Sequence, residues 1–260
     1  MNDPHVEALQ YRLVVGRNVD YNGAEPLQQI TDDFEFRLDG NTVVFQLKKH
    51  YATADDARAA VEQYVRAWDI LIGIEYDPED LRLVYEHADI IDRSPEKNDG
   101  KTINLHAHIS AHGVVSDSVT IHVSRGKYPP LPEDFSASPD AETMYLRYKS
   151  YRQNRETLTS MAYMCLTVFQ ASAGGRKEAA RQYNIDREVL DTLGRLSSTK
   201  GSPREVRKFP KAGAFEPLSP KEREWIVQVV KAIIRREGEY AYGHKMKLNQ
   251  ITMNDFPELP

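Results

Sequence analysis

The sequence predicts an α+β protein with a sheet-rich first half and an all-helical second half. Residues 9–50 alternate apolar and polar side chains in part, as half-buried strands do. From Thr53 the apolar side chains repeat at helical spacing, and beyond a proline-rich segment near residue 130 only helical patterns follow. We therefore expect an antiparallel or mixed sheet with one long covering helix, followed by a helical half that contains a helix-turn-helix-like unit.

Composition divides the chain near residue 130. The segment Tyr128-Pro129-Pro130-Leu131-Pro132 favours an extended, semi-rigid connector, because proline restricts the backbone to extended conformations. We expect an α+β domain over residues 1–127, a connector over 128–139, a helical domain over 140–240 and a loosely attached tail over 241–260.

Overall composition is that of a folded protein, with 40% hydrophobic and 28% charged residues. The chain has no apolar run of about 18 residues and no basic-then-apolar order at its start. We therefore expect a cytoplasmic protein without a membrane span. Cys165 is the only cysteine, which excludes an intramolecular disulfide and a multi-cysteine zinc site.

The first half should hold three strands, one long helix and three further strands. Asp39-Gly40-Asn41 separates two β-rich runs and supplies the positive-φ residues that a hairpin needs. Thr53 should cap the long helix, and Gly73 with Asp77-Pro78 should end it. The strands are expected over residues 9–19, 34–38, 42–50, 81–91, 102–115 and 119–124.

A helical pattern runs from Ala141 through Phe169, and Asp140 can cap it. Its stretch 157–169 is apolar nearly all round, which predicts the central core helix of this half.

Basic and aromatic side chains interleave along this predicted helix. The composition suits phosphate pairing and base stacking in a nucleic-acid site, but arginines laid over tyrosines at a helix-packing edge use the same residues. We favour the packing interpretation. The residues are Arg147, Arg152, Arg155, Tyr145, Tyr148 and Tyr151.

A second well-defined helix start is the capping box Ser219-Pro220-Lys221-Glu222, and Gly238 should end that helix. Between them, Trp225–Ile234 carries a narrow apolar stripe. The stripe must pack on another helix, either in this chain or in a second copy, so a protein partner or a homo-oligomer is one expectation.

Residues 175–196 read as two short helices joined by a tight turn. Ala179 and Ala180 are small enough for a close helix crossing, and Asn184 suits the turn. Leu190 and Leu193 return the apolar face of the second helix. This pattern resembles the helix-turn-helix class, whose DNA-binding members place the first turns of the second helix in the major groove.

Carboxylates stand where such a protein would meet DNA. Asp186, Glu188 and Asp191 would approach a polyanion, which is unfavourable unless each accepts a hydrogen bond from a cytosine or is drawn aside by an arginine. Negative charge in the first turn also has a simpler role, because it caps the helix and favours its dipole. We therefore expect any phosphate contact to come mainly from the basic loop that follows.

Charge distribution supports such a contact. Residues 1–127 hold 13 basic and 22 acidic residues, whereas residues 128–260 hold 21 and 17. Asymmetry of this kind is typical of a nucleic-acid or acidic-partner surface, although a solvated face also has it. The candidate phosphate-binding residues are Arg187, Arg195, Lys200, Arg204, Arg207 and Lys208.

A histidine group suggests a different chemistry. His106, His108 and His112 share one strand face by alternation, and His122 falls opposite His112 if the turn centres near Asp117. Two imidazoles so placed could share a zinc ion, so His108, His112 and His122 are candidate metal ligands. A polar sheet surface is the other interpretation, because His108 lies about 13 Å along the strand from His112.

Arg82 and His87 have the Arg-x4-His spacing of HEPN ribonucleases, in which both side chains lie on a helix and converge on a phosphate. Residues 81–91 here alternate like a strand, so two positions five apart should point to opposite faces. We reject that match.

Three function classes remain. The first is a non-enzymatic binding or regulatory protein whose helical half engages nucleic-acid phosphates or a protein partner. The second is a zinc-dependent enzyme that uses the histidine group, and the third is a self-associating structural subunit. The sequence contains no P-loop, dinucleotide fingerprint or nucleophile–base spacing, which favours the non-enzymatic class without a cofactor.

Overall fold

The protein has an α+β fold, as the sequence predicts. A computed structural model describes residues 3–16, 19–78, 81–94, 123–201, 216–243 and 248–260. The chain divides into two compact units, one of Met1–Ile72 with Glu79–Leu131 and one of Gly73–Pro78 with Pro132–Pro260. No helix in the described residues is long and apolar enough to cross a membrane.

The described residues of the first unit form seven strands and one long helix. They are β1 (Pro4–Val15), β2 (Val19–Asp20), β3 (Leu27–Ile30), β4 (Phe34–Asp39), β5 (Thr42–Leu47), α1 (Ala54–Glu75), β6 (Leu81–Asp92) and β7 (Val123–Ser124). Five strands form an antiparallel sheet with the order β3-β4-β5-β1-β6, and a parallel pair, β2 with β7, lies outside it. Among the described residues five strands precede the long helix, not the expected three, because β2 and β3 are short and lack clear alternation. The strand expected over 102–115 lies outside the described residues.

The expected hairpin is confirmed. Asp39 pairs with Thr42 at the ends of β4 and β5, and Gly40 in the turn has a φ of +58°. A left-handed conformation of this kind suits glycine, which has no Cβ to clash with the backbone.

Helix α1 covers one face of the sheet through aromatic contacts. Phe36 and Phe45 are fully buried, and the rings of Tyr64 and Trp68 meet Phe36 with centroids 5.7 and 5.8 Å away. The Thr53 hydroxyl accepts a hydrogen bond from the Asp56 amide at 3.2 Å, which confirms the expected cap.

Gly73 does not end α1, contrary to the expectation. The helix continues to Glu75, and a Cβ built on Gly73 would lie 2.2 Å from the Tyr145 hydroxyl. Glycine at this position permits a close approach, which helical periodicity cannot distinguish from a helix stop.

A bulge in β6 changes the faces that the sequence assigns to Arg82 and His87. The strand itself is confirmed, but Arg82 pairs with Val14 and His87 with Gln10, so Glu86 is the extra residue. Val14 and Gln10 are four apart on β1, and Arg82 and His87 therefore share one face, not opposite faces as expected. The same four residues keep them about 13 Å apart along the sheet, which still excludes convergence on one phosphate.

Two histidines meet at one end of the sheet. His5 on β1 is 1% exposed, and its Nδ1 atom lies 3.1 Å from the Nδ1 atom of His50. The rings are nearly parallel at 11° with centroids 5.1 Å apart, and the short distance between the two nitrogens fits a hydrogen bond from the N–H of one neutral imidazole to the unprotonated nitrogen of the other. Burial lowers the pKa of His5 below its usual 6.5, and Arg93 and His50 lower it further against Glu7 and Asp3.

This histidine pair predicts a loss of stability in mild acid. Because the folded-state pKa of His5 is depressed, the unfolded chain binds a proton more readily below pH about 6.5. The free energy of unfolding is therefore full above that pH and falls as pH drops through the folded-state pKa. Urea unfolding at a series of pH values should show a shallower decline for His5→Phe than for the natural chain. Identical declines would contradict the prediction.

The second unit contains five helices and a 3₁₀ turn in its described residues. They are α2 (Pro139–Arg152), α3 (Leu158–Ala173), α4 (Arg176–Gln182), α5 (Arg187–Thr199), α6 (Pro220–Tyr242) and the turn Met253–Asp255. Helix α3 packs against α2, α4, α5 and α6, which confirms it as the central core helix.

The pattern from Ala141 through Phe169 is two helices, not one. Asn154 has a φ of +57° in the break, and Thr157 caps α3 by accepting a hydrogen bond from the Ser160 amide. Ser138 caps α2 where Asp140 was expected, since Pro139 occupies the first helical position and the cap therefore lies two residues earlier.

Helix α6 begins at the expected capping box, with reciprocal bonds between Ser219 and Glu222. It continues past Gly238, which therefore does not end it as expected. A Cβ on Gly238 would lie 2.1 Å from the Phe135 ring. The apolar stripe of Trp225–Ile234 is buried within this chain against α2, α3 and α5, so it is not exposed to a second copy.

Part of the expected tail is firmly attached rather than loose. Residues Ile185 and Ile251 form a parallel bridge, in which the Asp186 amide donates to the Ile251 carbonyl and the Ile251 amide to the Asn184 carbonyl. Phe256 contacts the Trp225 ring. The sequence predicts a loose segment here because its apolar residues show little periodicity. An irregular segment that is held by backbone hydrogen bonds leaves no periodic pattern in the sequence.

The Arg236 side chain joins this C-terminal segment to the turn between α4 and α5. It is 5% exposed and donates from Nη1 to the Tyr183 carbonyl at 2.6 Å and from Nη2 to the Asn249 carbonyl at 2.8 Å. Its Nε atom bonds Glu239 at 3.1 Å. One buried guanidinium therefore holds three segments together.

Candidate nucleic-acid interface

The pair α4–α5 is positioned by three residues with positive φ. Gly174 ends α3 at +82°, Gly175 caps α4 at +126°, and Asn184 forms the turn at +49°. Glycine and asparagine tolerate these conformations better than other residues. Ala179 is fully buried in α4, and the two short helices joined by a tight turn are therefore present as expected.

An exposed arginine stripe runs along α5. Arg187, Asp191 and Arg195 follow at four-residue spacing, so they project from one side of the helix, and all three are exposed. The Asp191 carboxylate binds Arg176 Nη1 at 2.9 Å and Arg187 Nε at 3.3 Å. Three arginines thus surround or flank one carboxylate, and the net charge of the stripe is positive.

Two of the three carboxylates that would oppose DNA binding are already paired with groups of this chain. Asp186 accepts a hydrogen bond from the Glu188 amide at 3.1 Å, which confirms its capping role. Asp191 is held by its two arginines. Glu188 stays exposed in the first turn of α5, so that turn retains one carboxylate directed to solvent.

Arg176 belongs to this candidate site, although the sequence analysis does not include it. A Cβ built on Gly194 would lie 2.7 Å from its Nη2 atom, so the guanidinium lies across the bare backbone of α5. Arg176 and Asp191 are on different helices, and no periodicity within one helix indicates such a pair. A glycine inside an amphipathic helix, such as Gly194, was the one feature of the sequence that could have indicated a close contact at this place.

Lys200 is engaged differently from the other candidates. Its ammonium pairs with Glu216 and, at 2.9 Å, with Glu222, and its side chain is 17% exposed. The hydrogen bonds that the ammonium donates to Glu216 and Glu222 raise the pKa of Lys200. Burial alone would raise the pKa of Glu222, but the bonds from Lys200 and Ser219 outweigh it and lower that pKa. Lys200 therefore serves as an internal ion-pair partner.

The remaining candidates lie outside the described residues. Within the described ranges, no group of three or more histidine, cysteine, aspartate or glutamate side chains could hold a metal ion. The undescribed candidates are Arg204, Arg207, Lys208, His106, His108, His112 and His122.

Burial removes base stacking from two of the three tyrosines of α2, whereas Tyr151 is half-buried. Tyr145 is 3% exposed and Tyr148 is fully buried. Arg147 pairs with Glu156 at 3.7 Å, and Arg152 pairs with Asp77. These contacts favour the packing interpretation of this helix.

The fold and the arginine stripe define an α+β protein with a basic helical surface on its second unit. No protein-family model, no curated protein and no solved structure matches the chain.

Proposed function

We propose that the second unit binds nucleic acid through its phosphates, as a non-enzymatic binding or regulatory protein. The observation that carries the proposal is the stripe on α5, where Asp191 is already paired with Arg176 and Arg187. Pairing removes most of the repulsion between that carboxylate and a polyanion. Arg195, one turn further along, has no ion-pair partner among the described residues.

Phosphate contact suits this surface better than base reading. Arginine donates several N–H groups in a fixed fork, so Arg187 can bind a phosphate oxygen while it also bonds Asp191. Base reading instead needs amide or basic groups in the first turn of α5, where Asp186 and Glu188 stand. The proposed binding is therefore largely independent of base sequence and driven by counterion release.

Binding should weaken steeply with salt and should depend on the stripe. Fluorescence anisotropy with labelled duplex DNA and RNA should give an affinity whose logarithm falls linearly with the logarithm of salt concentration. The double variant Arg187→Gln, Arg195→Gln should reduce the magnitude of that slope by about two, one for each lost phosphate contact.

Arg37→Gln is the matched control for this experiment. Arg37 is 62% exposed and pairs with a carboxylate, much as Arg187 is 63% exposed and pairs with Asp191, but it lies on the first unit. The control should bind like the natural chain. Absent binding at low salt, or an equal loss in the control, would overturn the proposal.

Neither alternative has support from the described residues. The histidine group proposed for zinc lies outside them. The apolar stripe Trp225–Ile234 of α6, which is the surface proposed for self-association, is buried within the chain. Both stay predictions, and metal analysis and light scattering of the purified protein would test them.

A further inference from the structure

Three cations converge on a second surface of the helical unit. Arg152 at the end of α2 donates from Nη2 to the Asp77 carboxylate at 2.5 Å, and Arg235 on α6 pairs with Glu75. The two carboxylates are two residues apart in the segment Gly73–Pro78, which belongs to this unit. They therefore bring both guanidinium groups toward one place.

Lys231 is the third cation, and the charges of both arginines and of Glu75 act on it. It precedes Arg235 by one turn of α6, so both side chains leave the same side of the helix. Burial lowers the pKa of Lys231, and Arg152 and Arg235 lower it further, against the opposing charge of Glu75. The lysine is half-buried, and its ammonium has no hydrogen bond or ion pair among the described residues.

The charges at this place do not balance. Arg152, Arg235 and Lys231 contribute three positive charges, whereas Glu75 and Asp77 contribute two negative ones. Each guanidinium also keeps donors beyond those that its carboxylate uses, because arginine has five N–H groups. A half-buried ammonium with no partner is unfavourable, and one bound anion would relieve it.

We propose that Arg152, Lys231 and Arg235 form a binding site for a phosphate group. The site would present two planar guanidinium forks and one ammonium point charge, which is the donor set that phosphate oxygens bind. It is distinct from the stripe on α5 and does not depend on it. Three sources share this phosphate chemistry, namely inorganic phosphate, the monoester of a nucleotide and the diesters of a nucleic-acid backbone.

Inorganic phosphate is the first probe. We expect its addition at constant ionic strength to raise the pKa of the Lys231 ammonium, followed by NMR, by about one unit for each tenfold preference for the protonated form. No movement of that pKa would overturn the proposal, and this result needs no variant.

Lys231→Met provides a second test, with Lys221→Met as control on the same helix. Methionine keeps the apolar stem of the side chain and removes only the charge. We expect phosphate binding, measured by calorimetry, to weaken about tenfold or more in Lys231→Met and to be unchanged in Lys221→Met. Equal affinities in both variants would overturn the proposal.

Two further ligands separate the sources of the phosphate. A nucleoside monophosphate presents a phosphate monoester, and an oligonucleotide without terminal phosphates presents only diesters. The one that displaces inorganic phosphate from Lys231 identifies the source, and displacement by either supports the site. If Arg187→Gln, Arg195→Gln binds nucleic acid normally while phosphate still moves the pKa of Lys231, the stripe is wrong and this site stands. The reverse result rejects this site alone.

Discussion

Replacing Arg236 by methionine should lower the free energy of unfolding by about 3 kcal/mol. Removing one partner from buried charge-assisted bonds leaves the others unsatisfied. Here the carbonyls of Tyr183 and Asn249 would lose their donor, and Glu239 its ion pair. Urea unfolding measures the loss, and hydrogen exchange should show faster exchange at the Asp186 and Ile251 amides that join the turn to the C-terminal segment.

Arg235→Met is the control for this prediction, because it changes the adjacent residue and an exposed ion pair with Glu75. We expect a loss below about 1 kcal/mol there. Arg236→Lys should recover only part of the stability, since an ammonium cannot span two carbonyls and a carboxylate as the guanidinium fork does. A methionine variant as stable as the control would show that Arg236 does not join these segments.

Gly238→Ala should destabilise the second unit by about 2 kcal/mol. The new methyl would overlap the Phe135 ring, which is 5% exposed and has little room to move. Alanine favours a helix over glycine by about 1 kcal/mol, so the steric effect must exceed that gain for a net loss. Gly243→Ala is the control, because nothing lies within 4 Å of a Cβ there and its φ of −168° is extended.

A double-mutant cycle can assign this loss to the Phe135 ring. Phe135→Ala alone should cost about 3 kcal/mol through the cavity that it leaves. In its background, Gly238→Ala should become neutral or stabilising, because the overlapping ring is gone. Additive losses in the double variant would locate the strain elsewhere.

Elements with local causes could be predicted from the sequence. Gly40 marks the hairpin because the turn needs a left-handed residue, and Ser219 with Glu222 marks the start of α6 because the two residues bond each other's backbone. The pair α4–α5 follows from glycines, an asparagine and apolar spacing within one short stretch.

The candidate site was predicted less completely than the fold. Arg187 and Arg195 stand exposed on one side of α5, as a phosphate contact requires, whereas Lys200 pairs with two glutamates. Which arginine is held and which carboxylate is paired depends on contacts between elements. Arg176 reaches Asp191 from another helix, and no spacing within either helix indicates it.

What the sequence by itself determined is the succession of a sheet-rich half, one long helix and a helical half, together with local features such as the Gly40 turn, the Thr53 cap and the Ser219 capping box. These features depend on neighbours a few residues apart. Only the tertiary structure decided the meaning of Gly73 and Gly238, which permit close approach to Tyr145 and Phe135 instead of ending helices. It also decided the partners of Arg236 and the faces of β6. The physical reason is the same in each case, because these features depend on residues that are distant in the chain and adjacent in space.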